Sequence, residues 1–100
     1  MIEVFRSESG ITIKGHAGYA PEGQDIVCAG VSALTQVFAA SIEELTDDNL
    51  KCDISAGNAV IRYGNLSERG QVLLDSFLLG IRMISMEYPD YVWIDQALMS

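Results

Sequence analysis

The chain has 100 residues, 49% of them hydrophobic and 20% charged, and six basic against fourteen acidic residues give a formal net charge of −8. A chain of this length buries enough apolar surface to form a core without a metal or a disulfide, so we predict one domain over residues 1–100. The acidic balance argues against direct binding of a nucleic-acid backbone, which requires clustered Lys and Arg. It suits a soluble protein, or one that attracts a basic partner.

Targeting segments and cofactor sites are not expected. No apolar run approaches the roughly 18 uncharged residues of a membrane-spanning helix, and the N-terminus lacks the apolar stretch of a secretory signal. We therefore expect a cytoplasmic protein with no membrane partner. One histidine and two cysteines are too few for a typical zinc site, and cysteines in a reducing compartment rarely form a structural disulfide. No metal or other cofactor is expected.

The first half of the chain predicts a hairpin followed by a long helix. The segments "MIEVFR" and "ITIKGHA" are rich in Ile, Val and Thr, as β-strands are, and they flank the turn sequence "SESG". Residues 26–46 predict the first helix. Its main core stripe, at spacings of three and four, contains Val27, Val31, Leu34, Phe38, Ile42 and Leu45. Cys28 lies about 100° from Val27 on the helical wheel, so we expect it at the boundary of the core.

The second half predicts another hairpin, a second helix and a last strand. "KCDISAGNAVIRY" is typical of a hairpin with its turn at residues 56–58. Ser67 is predicted to cap a helix that runs to Glu87 or Tyr88, where Pro89 stops it. "YVWI" is a short final strand. The order ββαββαβ favours a two-layer α+β domain with both helices on one face of a sheet.

The second helix is apolar in most directions around its axis, whereas a surface helix has one apolar stripe and one polar face. This excess indicates a further buried surface. We expect that surface to be a homodimer contact.

Cys28 is placed where a thiol becomes reactive. Asp25 is a good N-cap residue, so Cys28 falls in the first turn of the helix. Unpaired backbone N–H groups and the positive end of the helix dipole lie there and stabilise a thiolate. The thiolate is the nucleophilic form of cysteine.

His16 is the only histidine in the chain and is a candidate general base at the end of the second predicted strand. The segment "AGYAPEGQ" connects it to the first helix. Gly18 and Gly23 are candidate hinges there, and Tyr19 is a candidate ligand contact. If this loop folds back, the strand end and the helix start meet, and loops of this kind often close over substrate.

The residues alone leave a structural interpretation open. A cysteine near an apolar helix start is more often packed than catalytic, because free Cys is among the most buried residue types. Asp25 is interpreted as a helix cap rather than as a group that orients His16, so a dyad of His16 and Cys28 is the most that the spacing supports.

Cys52 serves as a contrast. The alternation in "LKCDIS" places it on the core-facing side of a strand, and we predict that it is structural.

The stretch "GHAGYAPEGQDIVCAGVSAL" closely resembles the signature of the ribosomal-processing cysteine proteases called Prp. These are small bacterial proteins with G-H-A, a glycine-rich loop and then G-x-D-I-V-C-A. Residues 15–17 match the first part and residues 23–29 the second, and the match continues to Val31 and Ser32. Gly30 stands where family members often have alanine. Length and element order are similar over essentially the whole chain, whereas the diagnostic residues are confined to positions 15–34.

The resemblance implies a specific activity. Family members remove an N-terminal extension from a large-subunit ribosomal protein, cleaving after a Phe-Phe pair, and they form homodimers with a two-layer α/β fold. The family's nucleophile falls on Cys28 and its general base on His16, with a mobile loop between them. Further candidate loop or substrate-binding residues are Gly15, Gly18, Tyr19, Gly23, Asp25 and Ser32. In such a mechanism, N–H groups of the first helix turn, including that of Cys28, are expected to stabilise the oxyanion.

Two other functions remain open at this stage. One is a non-catalytic ribosome-assembly factor that binds a basic ribosomal protein and uses the loop for recognition. The other is a thiol redox protein, for which the absence of C-x-x-C and the strand position of Cys52 are unfavourable.

Overall fold

The computed structural model describes residues 1–95 and has the ββαββαβ order expected from the sequence. The elements are β1 (Ile2–Ser7), β2 (Gly10–Lys14), α1 (Ile26–Leu45), β3 (Leu50–Ser55), β4 (Asn58–Tyr63), α2 (Glu68–Glu87) and β5 (Val92–Ile94). The side chain of Ser67 accepts a hydrogen bond from the Gly70 N–H at 3.1 Å, and α2 ends at Tyr88, directly before Pro89. The predicted cap and stop of this helix are therefore confirmed.

The five strands form one sheet in the order β3-β4-β2-β1-β5. Neighbouring strands are antiparallel except for β1 and β5, which pair in parallel with Ile2 opposite Val92. A parallel pair requires a crossover connection, and the chain returns to β1 after α2. Strands β3 and β5 are consequently the two edges of the sheet.

Both helices pack on the same face of this sheet and form the core with it. Phe38 of α1 stacks on Phe77 of α2 with ring centroids 5.0 Å apart. The predicted stripe of α1 is largely confirmed, but Leu45 is 54% exposed while Thr35 is buried. The Thr35 hydroxyl donates to the Val31 carbonyl at 2.7 Å. That bond satisfies its polar atom inside the core, which is why this polar residue is tolerated there.

Helix α1 is long and apolar enough, by length and composition, to cross a membrane. The expectation that no segment approaches this limit is therefore wrong for Ile26–Leu45. Its aliphatic residues and alanines raise the mean hydropathy, although only one stripe of the helix faces the core. In this structure α1 is one of the two core helices.

Candidate active site

Asp25 organises the start of α1 and the loop before it. One carboxylate oxygen, Oδ1, accepts hydrogen bonds from the N–H groups of Val27 and Cys28, both at 3.0 Å. The other oxygen, Oδ2, accepts from the N–H groups of Tyr19 at 3.0 Å and Ala20 at 3.4 Å. These donors, that of Cys28 first, lower the pKa of the Asp25 carboxyl below its ordinary value of 3.8, although desolvation opposes them. The predicted N-cap is thus observed, and the same carboxylate also ties the loop to the helix.

The Cys28 thiol lies in the first turn of α1 and is half-buried, as expected for a residue at the boundary of the core. The buried Ala17 N–H donates a hydrogen bond to its Sγ at 3.2 Å. The Cys28 N–H, which is expected to stabilise an oxyanion, donates to Asp25 in this structure. The backbone donor that lies against the sulfur is therefore that of Ala17.

His16 follows the end of β2 and is exposed. The preceding residue, Gly15, has a φ of 92°, and its N–H donates to the carbonyl of Gly57 at 2.8 Å. The imidazole lies against the same glycine: a Cβ on Gly57 would come within 2.7 Å of His16 Nε2. The turn between β3 and β4 therefore fixes one side of the space that the imidazole occupies.

Two clefts share His16 and Cys28 as wall residues. The first, of about 200 Å³, lies between α1 and the β3–β4 turn, and the second, of about 840 Å³, lies beside the loop that precedes α1. Of the other candidate residues, Ser32 lines both clefts, Gly15 lines the first, and Gly18, Gly23 and Asp25 line the second. The structure thus assembles most of the candidate residues around one site.

Tyr19 is the exception, since it is not among the described residues that line either cleft. Its ring instead makes edge-to-face contacts with Tyr88 and Tyr91, with centroids 5.5 and 5.2 Å away. These partners lie at the connection between α2 and β5. The side chain of Tyr19 therefore packs on the protein rather than facing the site.

Sequence reasoning missed the β3–β4 turn as part of the site. Residues 54–59 line the first cleft opposite α1, yet the sequence indicated only that a turn lies among them. About forty residues separate His16 from this turn, so their proximity depends on the pairing of β2 with β4. No local pattern carries that information.

The predicted core position of Cys52 is wrong. Cys52 lies opposite Ile61 of β4, and directly opposed residues share a face of the sheet, so the alternation does place it on the helix-covered face. Ile61 has no exposed surface, whereas Cys52 is exposed. The reason is that β3 is an edge strand, whereas Ile61 lies on the neighbouring inner strand β4. Partial burial still raises the pKa of the Cys52 thiol above its ordinary value of 9.0.

Within residues 1–95, no group of three or more His, Cys, Asp or Glu side chains is arranged to hold a metal ion. The groups that line the clefts include a thiol and an imidazole, and a backbone N–H lies on the sulfur. This combination is suited to nucleophilic attack on a carbonyl carbon.

Comparison with known proteins points to the same chemistry. A family model described as cysteine protease Prp matches residues 2–93. The ribosomal processing cysteine protease Prp of Staphylococcus aureus is 29% identical over 85 residues, which cover 82% of this chain and 80% of that protein. A crystal structure of the S. aureus protease with a covalently linked product peptide matches with a TM-score of 0.85 at 24% identity, covering 94% of this chain and 95% of that one. A Streptococcus mutans protein matches with a TM-score of 0.72 at 30% identity, covering 94% and 90%.

Proposed function

This chain belongs to the cysteine protease Prp family, and from that membership we propose that it removes the N-terminal extension of a large-subunit ribosomal protein in the cytoplasm. Cys28 is the nucleophile and His16 the general base, and cleavage follows an aromatic pair. The observation that carries the assignment is that these two side chains line the same two clefts. The clefts give a peptide access to both groups at once.

The proposed mechanism uses only the described side chains and water. His16 takes the proton of the Cys28 thiol, and the thiolate attacks the scissile carbonyl carbon. As the tetrahedral intermediate collapses, the protonated His16 donates its proton to the leaving amine, and an acyl-enzyme remains. His16 then takes a proton from water, and the water oxygen attacks the thioester. The carboxylic acid product leaves, and His16 returns the proton to the Cys28 sulfur.

The first cleft is proposed to receive an aromatic side chain of the substrate. Its walls are mainly apolar and include Val31, Ile54 and Ala59, and its volume of about 200 Å³ suits one large side chain. A ribosomal protein is basic, so the net charge of −8 favours its encounter with this chain at low ionic strength.

A homodimer is part of the proposal. Val72, Leu79, Met83 and Met86 form one stripe on the outer side of α2, and each is between 56% and 68% exposed. A stripe of this kind on a small domain is typical of an interaction surface, and a second copy of the chain is the proposed occupant. Light scattering should give a dimer for the wild type and a monomer for Met83→Glu, because a charge is costly to bury in an apolar contact. A monomeric wild type at micromolar concentration contradicts this part.

Cleavage is tested with the extended ribosomal protein precursor and mass spectrometry. The wild type should release a peptide that ends in the aromatic pair, and Cys28→Ala and Cys28→Ser should release none. Cys28→Ser keeps a hydrogen-bond acceptor for the Ala17 N–H, so its inactivity isolates the loss of the thiol. Cys52→Ala is the matched control and should cleave like the wild type. A precursor that is bound but left intact by the wild type would favour the assembly-factor alternative.

A further inference from the structure

An aromatic cluster connects the loop at the active site to a distant part of the fold. Tyr19 is 42% exposed, yet its ring touches both Tyr88 and Tyr91 edge to face. These two residues are held by the backbone: the Tyr91 N–H donates to the Tyr88 carbonyl at 3.0 Å, and the Tyr91 carbonyl accepts from the Ile2 N–H at 2.9 Å. Tyr19 therefore rests on a support that is fixed to α2 and β1.

The cluster lies two residues from the backbone donor at the nucleophile. Ala17 donates its N–H to Cys28 Sγ at 3.2 Å, and Tyr19 donates its own to Asp25 at 3.0 Å. Gly18, between them, has a φ of 72°, in the region that only glycine adopts without strain. The chain from residue 17 to residue 19 is thus held at the sulfur, at the Asp25 carboxylate and at the tyrosine cluster.

A hydrogen bond and aromatic contacts both hold this segment at Tyr19. The bond from Tyr19 is exposed, and an exposed hydrogen bond competes with water. The aromatic contacts are made by three large rings, and such pairs are attractive beyond the area that they bury. The cluster therefore restricts the segment at Tyr19, in addition to the burial of Ala17 in the core.

We propose that Tyr19 is a positioning residue for the nucleophile. Its contacts with Tyr88 and Tyr91 keep the Ala17 N–H on Cys28 Sγ, where the donor stabilises the negative charge that the sulfur carries before attack. This inference rests on the proposed role of Cys28 and assigns Tyr19 no contact with substrate. The edge-to-face contacts of the Tyr19 ring, rather than its hydroxyl, position the Ala17 N–H.

The test compares Tyr19→Ala with Tyr19→Phe, which keeps the ring. In a Cys52→Ala background, iodoacetamide reports on Cys28 alone, and its alkylation rate is measured against pH. For Tyr19→Ala, the alkylation rate should begin to rise at a higher pH than in the wild type. The kcat for the precursor should fall roughly tenfold, with little change in KM. Tyr19→Phe should match the wild type in both measurements.

Two further variants separate positioning from stability. Trp93→Ala removes an aromatic contact that is made with Phe5, at 5.4 Å, rather than with Tyr19, and it should leave the alkylation profile unchanged. Tyr91→Leu keeps apolar bulk but loses the edge-to-face contact, and it should reproduce part of the Tyr19→Ala effect. The double variant Tyr19→Ala/Tyr91→Leu should be no worse than Tyr19→Ala, because the two residues act through one contact.

The outcomes distinguish this inference from the proposed function. A Tyr19→Ala variant with a lowered Tm but an unchanged alkylation profile overturns the positioning role, as does one with a raised kcat. If the wild type fails to cleave the precursor, the proposed function fails instead, while the alkylation profiles still decide whether Tyr19 acts on Cys28.

Discussion

The two cysteines of this chain lie in different backbone environments. One lies near the start of a helix and the other lies in an edge strand. Cys28 is half-buried in the first turn of a helix, and its Sγ accepts the Ala17 N–H. Cys52 is exposed in an edge strand, where partial burial raises the pKa of its thiol. Exposure alone would favour Cys52 as the reactive thiol. The comparison teaches that a backbone N–H on the sulfur and a cleft shared with an imidazole distinguish a candidate nucleophile from an accessible thiol.

The largest expected effect is on the relative alkylation of the two thiols. At pH 7, iodoacetamide should modify Cys28 roughly tenfold faster than Cys52, because the Ala17 N–H donates to the Cys28 Sγ, whereas desolvation raises the pKa of the Cys52 thiol. Peptide mapping by mass spectrometry measures both rates in one sample. Equal rates, or faster modification of Cys52, would remove the distinction between the two environments.

Gly57→Ala should impair cleavage by displacing the imidazole at the Cys28 site, without affecting the surroundings of Cys52. The added Cβ would lie 2.7 Å from His16 Nε2, so the imidazole must move, and we expect roughly a tenfold loss of kcat/KM from a displaced base. Because φ is 73° at this position, a side chain there should also lower the free energy of unfolding by about 1 kcal/mol. Steady-state cleavage and urea denaturation measure the two effects.

Two other glycines serve as controls for that variant. Gly23 has a φ of 84° but open space where a Cβ would lie, and Gly64 has open space and no positive φ. Gly23→Ala should therefore lower the free energy of unfolding measured in urea, and Gly64→Ala should leave it unchanged. A Gly57→Ala protein that is destabilised like Gly23→Ala but cleaves at the wild-type rate would mean that the turn does not position His16.

Asp25→Asn should weaken the contact between the loop and α1 while leaving the helix cap in place. Asn is as good an N-cap as Asp, so its side-chain oxygen still accepts from Val27 and Cys28. The amide group that replaces Oδ2 cannot accept from Tyr19 and Ala20, so the loop contact is lost. We expect a several-fold slower alkylation of Cys28 with a melting temperature within a few degrees of the wild type. Unchanged alkylation would show that the carboxylate acts on the helix alone.

The smallest expected effect is the pH dependence of stability that Asp25 confers. Its pKa is lowered in the folded protein, so the stability that it contributes is present above the ordinary value of 3.8 and is lost as the pH falls through the folded-state pKa. The difference in urea midpoint between the wild type and Asp25→Asn should therefore be largest near neutral pH and shrink at pH below that value. A difference that grows on acidification would contradict the direction of the shift.

Much of the candidate site was predictable because its parts depend on short stretches of chain. The cap at Asp25, the position of Cys28 in the first turn and the strand end before His16 follow from residues within a few positions of each other. The packing of Tyr19 was not predictable, since its partners, Tyr88 and Tyr91, lie about seventy residues away. The exposure of Cys52 was predicted wrongly for a related reason: alternation identifies a face of a strand, but not whether a helix covers that face.

The sequence by itself determined the seven elements, their caps and the family signature, because hydrophobic periodicity and capping act over one or two turns. The tertiary structure decided the strand order, which makes β3 an edge and brings the β3–β4 turn against His16. It also decided that the Cys28 N–H is occupied by Asp25 and that the Ala17 N–H lies on the sulfur instead. These features depend on contacts between distant segments, and such contacts form only when the sheet has assembled and the helices have packed on it.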